Sequence, residues 1–272
     1  MNSLLEQCGG ILAALRAEKP LVHHITNYVT VNDCANITLA IGASPIMADA
    51  MEEAADIARI SSALVLNIGT LNSRTIASMQ AAGKAANEKN IPVVLDPVGA
   101  GASALRNDAV ARLLREVRVA VVRGNISEVR FLAGLSSNTK GVDASEADAG
   151  NAGDIAKHVA RTFNCVVAIT GAVDTIADAE RVIHIHNGHC MMADVTGTGC
   201  MCSSLVGSFC GASPQYFEAA AAAVLCMGVA GELAFDAAGQ KGTGSFRAAL
   251  LDAVSRMDRK TMEERGRVDG CE

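Results

Sequence analysis

An α/β fold, with a mainly parallel central sheet flanked by helices, is what this sequence predicts, and three observations carry the prediction. Short runs rich in Val and Ile alternate with longer segments of helical periodicity. The runs are apolar throughout and do not alternate with polar residues, as strands do when helices cover both faces of a sheet. Gly or polar residues stand at the exit of nearly every run.

The first strand is expected at Leu21–Ile25, followed by a helix over Val31–Ile41. Further strands are expected at 63–68, Val93–Asp96, 119–122 and 166–170, with helices at 73–87, Ala104–Glu116 and 154–162 between them. A hairpin strand at 182–186 should follow a turn at 177–180. The last third reads as helical over 200–210, 214–236 and 245–264, ending in a polar, frayed tail at 265–272. The Gly-rich stretch 134–153 reads as a long surface loop. No repeat or linker breaks the chain, so one domain over residues 1–272 is expected.

Composition narrows the partners. A net charge of −6 argues against nucleic acid and anionic membrane surfaces, which select clustered Lys and Arg. With no Trp and two Tyr there are few platforms on which bases could stack. The most apolar run, 219–231, is shorter than the roughly 20 residues a membrane span needs, and reads as a buried helix. No basic segment opens the chain, so no secretory leader is read. The nine scattered cysteines fit reduced thiols in the cytoplasm better than a disulfide framework. A small-molecule ligand is the expectation that remains.

In an open α/β sheet that ligand sits beyond the carboxyl ends of the strands. Thr26-Asn27, 67–69, Asp96-Pro97, 123–125 and Thr170-Gly171 stand there. The segment Asp194-Val-Thr196-Gly197-Thr198-Gly199-Cys200 leads straight into a helical run. Its glycines let backbone approach an anion, the helix's first N–H groups can bind one, and Thr196 and Thr198 can add hydroxyl donors. A helix start also favours the Cys200 thiolate, although a neighbouring phosphate would oppose that. GxxxxGK[ST] is missing, and the late Gly197-x-Gly199 pair is a poor dinucleotide fingerprint. Other readings of the same residues are a cysteine hydrolase, with Cys200 as nucleophile and His24 as base, and a binding protein without catalysis. His184, His186 and His189 with Cys190 suggest a metal site only weakly, since a polar hairpin exposes histidines.

Eight motifs in order resemble the hydroxyethylthiazole kinase family of ribokinase-like kinases. They are His24-Ile-Thr-Asn27-Tyr-Val29, Pro45-Ile-Met47-Ala48, Leu66-Asn-Ile-Gly69-Thr70, Leu95-Asp96-Pro-Val-Gly99, Arg123-Gly-Asn125 with Glu128, Thr170-Gly171, the segment ending at Cys200, and Gly244-Ser-Phe246. The resemblance implies phosphorylation by ATP of the hydroxyl of 4-methyl-5-(2-hydroxyethyl)thiazole, a thiamine precursor. It places Cys200 as catalytic base, where most ribokinase-like kinases carry Asp, with Gly197 and Gly199 as the anion hole. By the same resemblance Asp96 and Glu128 organise Mg²⁺, Arg123 and Thr170 contact ATP, and Asn27, Met47 and Gly197 line the thiazole pocket. A homotrimer with sites between subunits is implied as well. Hydroxymethylpyrimidine and sugar kinases are the rivals within the superfamily. Two positions depart from the family's pattern: Cys202 replaces an aliphatic residue and Thr243 replaces a Pro. Cys202, two residues past Cys200, faces another side of the helix and is expected to pack.

Overall fold

The computed structural model describes residues 2–135 and 152–270. Nine strands form one sheet: β1 (Leu21–Ile25), β2 (Ser44–Met47), β3 (Ala63–Asn67), β4 (Val93–Asp96), β5 (Val121–Gly124), β6 (Val166–Ile169), β7 (Asp174–Ala177), β8 (Val182–Ile185) and β9 (Val268–Gly270). Their order is β2-β1-β3-β4-β5-β6-β7-β8-β9, parallel from β2 to β6 and antiparallel from there to β9. The expected mainly parallel α/β architecture is therefore present. β3 through β6 are buried along their whole length, which is why they read as unbroken apolar runs.

Two apolar layers clamp the sheet. One face packs under α1 (Asn2–Glu18), α2 (Val31–Ile41), α8 (Thr198–Ala212), α9 (Tyr216–Ala238) and α10 (Thr243–Arg256). The other packs under α3 (Ala54–Ile60), α4 (Ser73–Glu88), α5 (Ala104–Glu116), α6 (Ile126–Leu132) and α7 (Ala152–Phe163). A last short helix, α11 (Arg259–Arg265), buries Met262 in the first layer. Helix α9 is long and apolar enough to cross a membrane, yet 83% of its most apolar window lies inside the core. Its run of Ala and Gly lets it seat closely against its neighbours.

Several expectations are corrected. Up to Gly270 the tail is not frayed: β9 pairs with β8, and Glu232 accepts from Gly188 N and Asn187 Nδ2 at 3.0 Å and from the Arg267 guanidinium at 2.6 Å, while 271–272 lie outside the described residues. The single helix expected over 245–264 breaks at Met257-Asp258, where the Asp258 side chain caps α11 through Thr261 N. Arg123 and Gly124 belong to β5 itself, not to the loop after it. Of the loop expected at 134–153, residues 136–151 lie outside the described residues, and 152–153 already open α7. Helices α1 and α3 and the edge strand β2 were not expected at all.

The strand order positions the site. The chain leaves β1 outward to β2 and returns to β3 on the other side of β1. This reversal makes a crevice beyond the carboxyl ends of β1 and β3.

Candidate active site

Period-two alternation sets up the site. Val65, Val94 and Val121 belong to the layer beneath α8, so Asn67, Asp96 and Arg123, each two residues on, face the same side. Asn67 and Asp96 are register partners at the ends of adjacent strands. Helix α8 begins directly over this polar row. Gly197 is its N-cap with φ +95°, and no side chain caps the first turn, so its leading N–H groups are open to an anion. A β-carbon on Gly199 would stand 2.8 Å from the Arg123 guanidinium. A cation pressed against the positive end of a helix is what an anion site requires. The Thr198 hydroxyl is not a free donor, because it is bonded to the Met192 carbonyl at 3.0 Å.

Cys200 lies in that first turn, partly buried. Asn27 Nδ2 donates to its Sγ at 3.3 Å and Asn67 Nδ2 at 3.2 Å. Asn27 is itself fixed, accepting from both the N–H and the hydroxyl of Thr30 at 3.1 Å. Burial first, and then the charge of Asp96, push the Cys200 thiol above its ordinary value, and the hydrogen bonds from Thr30, Asn27 and Asn67 only partly oppose this. The pull of the helix start toward the thiolate is thus outweighed by burial and by the Asp96 charge. Cys202 is buried and its thiol is pushed up to about 12, as befits a packing residue.

The carboxylate of Asp96 is wholly buried and asymmetric. Its Oδ2 accepts from Asn67 Nδ2 and the Ser203 hydroxyl, both at 2.8 Å, and lies 3.7 Å from an Arg123 nitrogen. Its Oδ1 is buried with no partner. Burial raises the Asp96 pKa, while Arg123, Ser203 and Asn67 draw it back. Burial works against the Arg123 charge as well, but Asp96 leads the groups that hold it charged. Arg123 also donates to the Thr170 hydroxyl. Glu128 accepts from Gly99 N and Asn125 N at 2.8 Å, the second bond completing a capping box that starts α6. Burial, then the charge of Asp96, raises the Glu128 pKa. Two mutually opposed carboxylates and a bare oxygen fit a hard cation that completes its shell with water and phosphate oxygens. No cluster of three metal-ligating side chains occurs among the described residues.

Asp174 borders this group. It accepts from Gly171 N at 2.9 Å, and burial pushes it from an ordinary 3.8 to about 7 despite that bond and the Arg123 charge. Between those values the folded state holds a proton that the unfolded state has released, so stability falls as pH rises through the window. Asp174→Asn should match wild type in acid and exceed it above neutral pH by on the order of a few kcal/mol. Urea unfolding at both pH values measures this, and an equal difference at both would contradict it.

The structure brings together Asn27, Asp96, Arg123, Glu128, Thr170, Gly197, Gly199 and Cys200. Met47 ends edge strand β2, beside His24 of β1, at the same end of the sheet. His24 is buried, bonds the Val22 carbonyl at 3.0 Å and falls to about 4, and Cys200 has amide rather than imidazole partners, so no hydrolase dyad forms. His184 bonds Thr175, His186 bonds Asp269, and His189 stacks on Phe235 at 3.6 Å, so the three histidines are separately engaged. The sequence places Asn67 at a strand exit without giving it a role, and does not single out Ser203. Ser203 lies one helical turn from Cys200, a spacing that could have flagged it. Arg247, just after Gly244-Ser-Phe246, bonds Asp33 of α2 with its Nε at 2.9 Å and ties that motif to α2. A separate cavity of about 490 Å³, lined by Ile91, Val119 and Cys165 among others, opens beside the amino ends of β4 to β6, away from this chemistry.

Residues 12–260 match the model of the hydroxyethylthiazole kinase family. The chain is 57% identical over 271 residues to a hydroxyethylthiazole kinase of Ruminiclostridium cellulolyticum, covering 99% of both chains. The structure of hydroxyethylthiazole kinase protein from Pyrococcus horikoshii superposes with a TM-score of 0.89 at 38% identity, over 97% of this chain and 99% of that one. A ribokinase-like superfamily protein from Enterococcus faecalis, 12% identical, shares the fold with a TM-score of 0.62 over 95% of each chain. In sequence along almost its whole length, and in a ribokinase-like fold, the chain belongs to the hydroxyethylthiazole kinase family.

Proposed function

We infer that this protein is an ATP-dependent kinase that phosphorylates the hydroxyl of 4-methyl-5-(2-hydroxyethyl)thiazole, yielding the thiazole phosphate and ADP in thiamine biosynthesis or salvage. The observation that carries this reading, together with family membership, is the uncapped start of α8, with Cys200 held by two amides beside the Asp96–Arg123 pair. Arg123 and Thr170 hold the ATP phosphates, while the backbone around Gly197 and Gly199 receives the transferred phosphoryl group. Asn27, Met47 and Gly197 bound the thiazole pocket, where the Met47 thioether suits a sulfur heterocycle. Asp96 Oδ1 and Glu128 would hold Mg²⁺, which supplies charge neutralisation at the phosphates when bound.

In its minor thiolate form Cys200 accepts the hydrogen bond of the attacking hydroxyl and takes its proton, as the hydroxyl oxygen bonds to the γ-phosphorus of ATP and the bond to ADP breaks. Phosphoryl transfer has a loose transition state, so positioning outweighs basicity and a raised thiol pKa is tolerable. The rate should therefore climb with pH across neutrality, and Cys200→Ala should lose roughly 10²-fold in kcat. ADP release with the thiazole alcohol, run beside hydroxymethylpyrimidine and ribose, tests the reading. Release with the pyrimidine or the sugar alone would overturn the substrate.

The whole chain is read as one domain and as cytoplasmic, the latter supported by eight described cysteines that are all free. A homotrimer is proposed as well. Tyr28, which follows the carboxyl end of β1, is 79% exposed, and a partner there would cover it. A monomeric mass by light scattering would exclude it.

A further inference from the structure

Asn67 is a hub that no motif assigns. Its amide makes all four bonds open to it: Nδ2 donates to Cys200 Sγ at 3.2 Å and to Asp96 Oδ2 at 2.8 Å, and Oδ1 accepts from Asn27 Nδ2 at 3.1 Å and Gly69 N at 2.9 Å. The partners fix the amide's orientation, since a flipped amide would point oxygen at a carboxylate. Ser203, on the helix face of Cys200, adds a second donor to the same Asp96 oxygen at 2.8 Å. The described hydrogen bonds of the Asp96 carboxylate therefore all fall on Oδ2, while Oδ1 stays buried and bare.

We propose that Asn67 and Ser203 are positioning residues for phosphoryl transfer, which hold Asp96 through Oδ2 so that Oδ1 faces a cation. Asn67 alone also ties that carboxylate to the sulfur of Cys200. The proposal deepens the kinase reading and rests on it for the reaction, though not for the Asn67–Cys200 contact. Metal carboxylate and hydroxyl-facing sulfur are then set by one amide, and a disturbance of either reaches the other.

Two variants separate the roles. Asn67→Asp has the same shape but loses both N–H donors and sets a carboxylate against Asp96 and Cys200. Ser203→Ala removes a donor to Asp96 and none to Cys200. Each is melted to verify folding, then read for kcat, for thiazole KM, for the Mg²⁺ concentration giving half-maximal rate, and for iodoacetamide alkylation of Cys200 at one fixed pH without nucleotide or metal. Asn67→Asp should raise the Mg²⁺ requirement about tenfold or more, lower kcat about 10²-fold with thiazole KM within a few-fold, and slow alkylation about tenfold. Ser203→Ala should raise the Mg²⁺ requirement and leave alkylation unchanged. If Asn67→Asp does not fold, Ser203→Ala decides. An unchanged Mg²⁺ requirement in a folded variant, or alkylation equally slowed in both, overturns the assignment. Should wild type release no ADP with the thiazole, the kinase reading fails by itself, and the substrate-free alkylation arm still accepts or rejects Asn67 as the partner of Cys200.

Discussion

Asp96→Asn is expected to keep only a hundredth to roughly a thousandth of wild-type kcat, and to melt earlier as well. Both losses come from one carboxylate. Its bare Oδ1 faces no protein donor, and an amide in its place would offer a cation a neutral ligand. Its charge is also the chief compensation for the largely buried Arg123 guanidinium. Neutralising one member of a buried pair leaves the other charge uncompensated, at a cost of about 3–5 kcal/mol. Glu128 still lends Arg123 some negative potential, so the true cost should lie toward the lower end of that range. Glu128→Gln should behave differently. The amide oxygen can still accept one of the two backbone N–H groups of Gly99 and Asn125, so stability drops by about 1 kcal/mol, while the Mg²⁺ requirement rises. ADP-release kinetics over a Mg²⁺ series, beside thermal melts, give the comparison. An Asp96→Asn enzyme within tenfold of wild type would remove Asp96 from the reaction.

The parts of the fold legible in the sequence are those whose burial is complete. β3 to β6 are covered on both faces, so each prints itself as an apolar run. β2 reads Ser-Pro-Ile-Met and is half-buried along the sheet's edge, where neither continuous apolarity nor alternation is required. β9 reads Val-Asp-Gly, and only its first residue is buried. Its pairing depends on Arg267 and Glu232, which are 35 residues apart in sequence. α1 was hidden by Gly9-Gly10 in its middle, which depress helix propensity. The site divides in a similar way. Asp96, Cys200 and the two glycines stand at strand and helix ends, where residue type alone suggests chemistry. Asn67 also ends a strand, but an amide has no charge or nucleophilicity to draw notice, and its importance appears only when four partners converge on it. Glu128 caps α6 through Asn125 N and also feels the charge of Asp96, so one side chain starts the helix and borders the site.

Gly199→Ala should separate activity from stability more sharply than any other change. In the first turn of α8, Ala is the better helix former by about 1 kcal/mol, so local propensity favours the variant. The new methyl group, however, would lie 2.8 Å from Arg123 Nη1 and 3.1 Å from Nη2. A flexible surface arginine would swing away, but this one is buried, paired with Asp96 and bonded to Thr170. The clash is relieved at least cost if Arg123 keeps those contacts and the start of the helix is pushed back, and that movement alters the anion site. We expect kcat to fall by roughly 10²–10³-fold, with ATP KM raised and the melting temperature within a few degrees of wild type. Gly197→Ala provides the contrast. There φ is +95° and the β-carbon would meet Thr30 Cγ2 at 2.7 Å, so stability falls by about 1–2 kcal/mol and the Thr30–Asn27 support of Cys200 shifts with it. Activity lost in both variants, with stability lost only in the second, is the pattern of a helix start built around an anion. If Gly199→Ala turns over at the wild-type rate, the transferred phosphoryl group lies elsewhere, and the close approach of Arg123 to α8 serves packing alone.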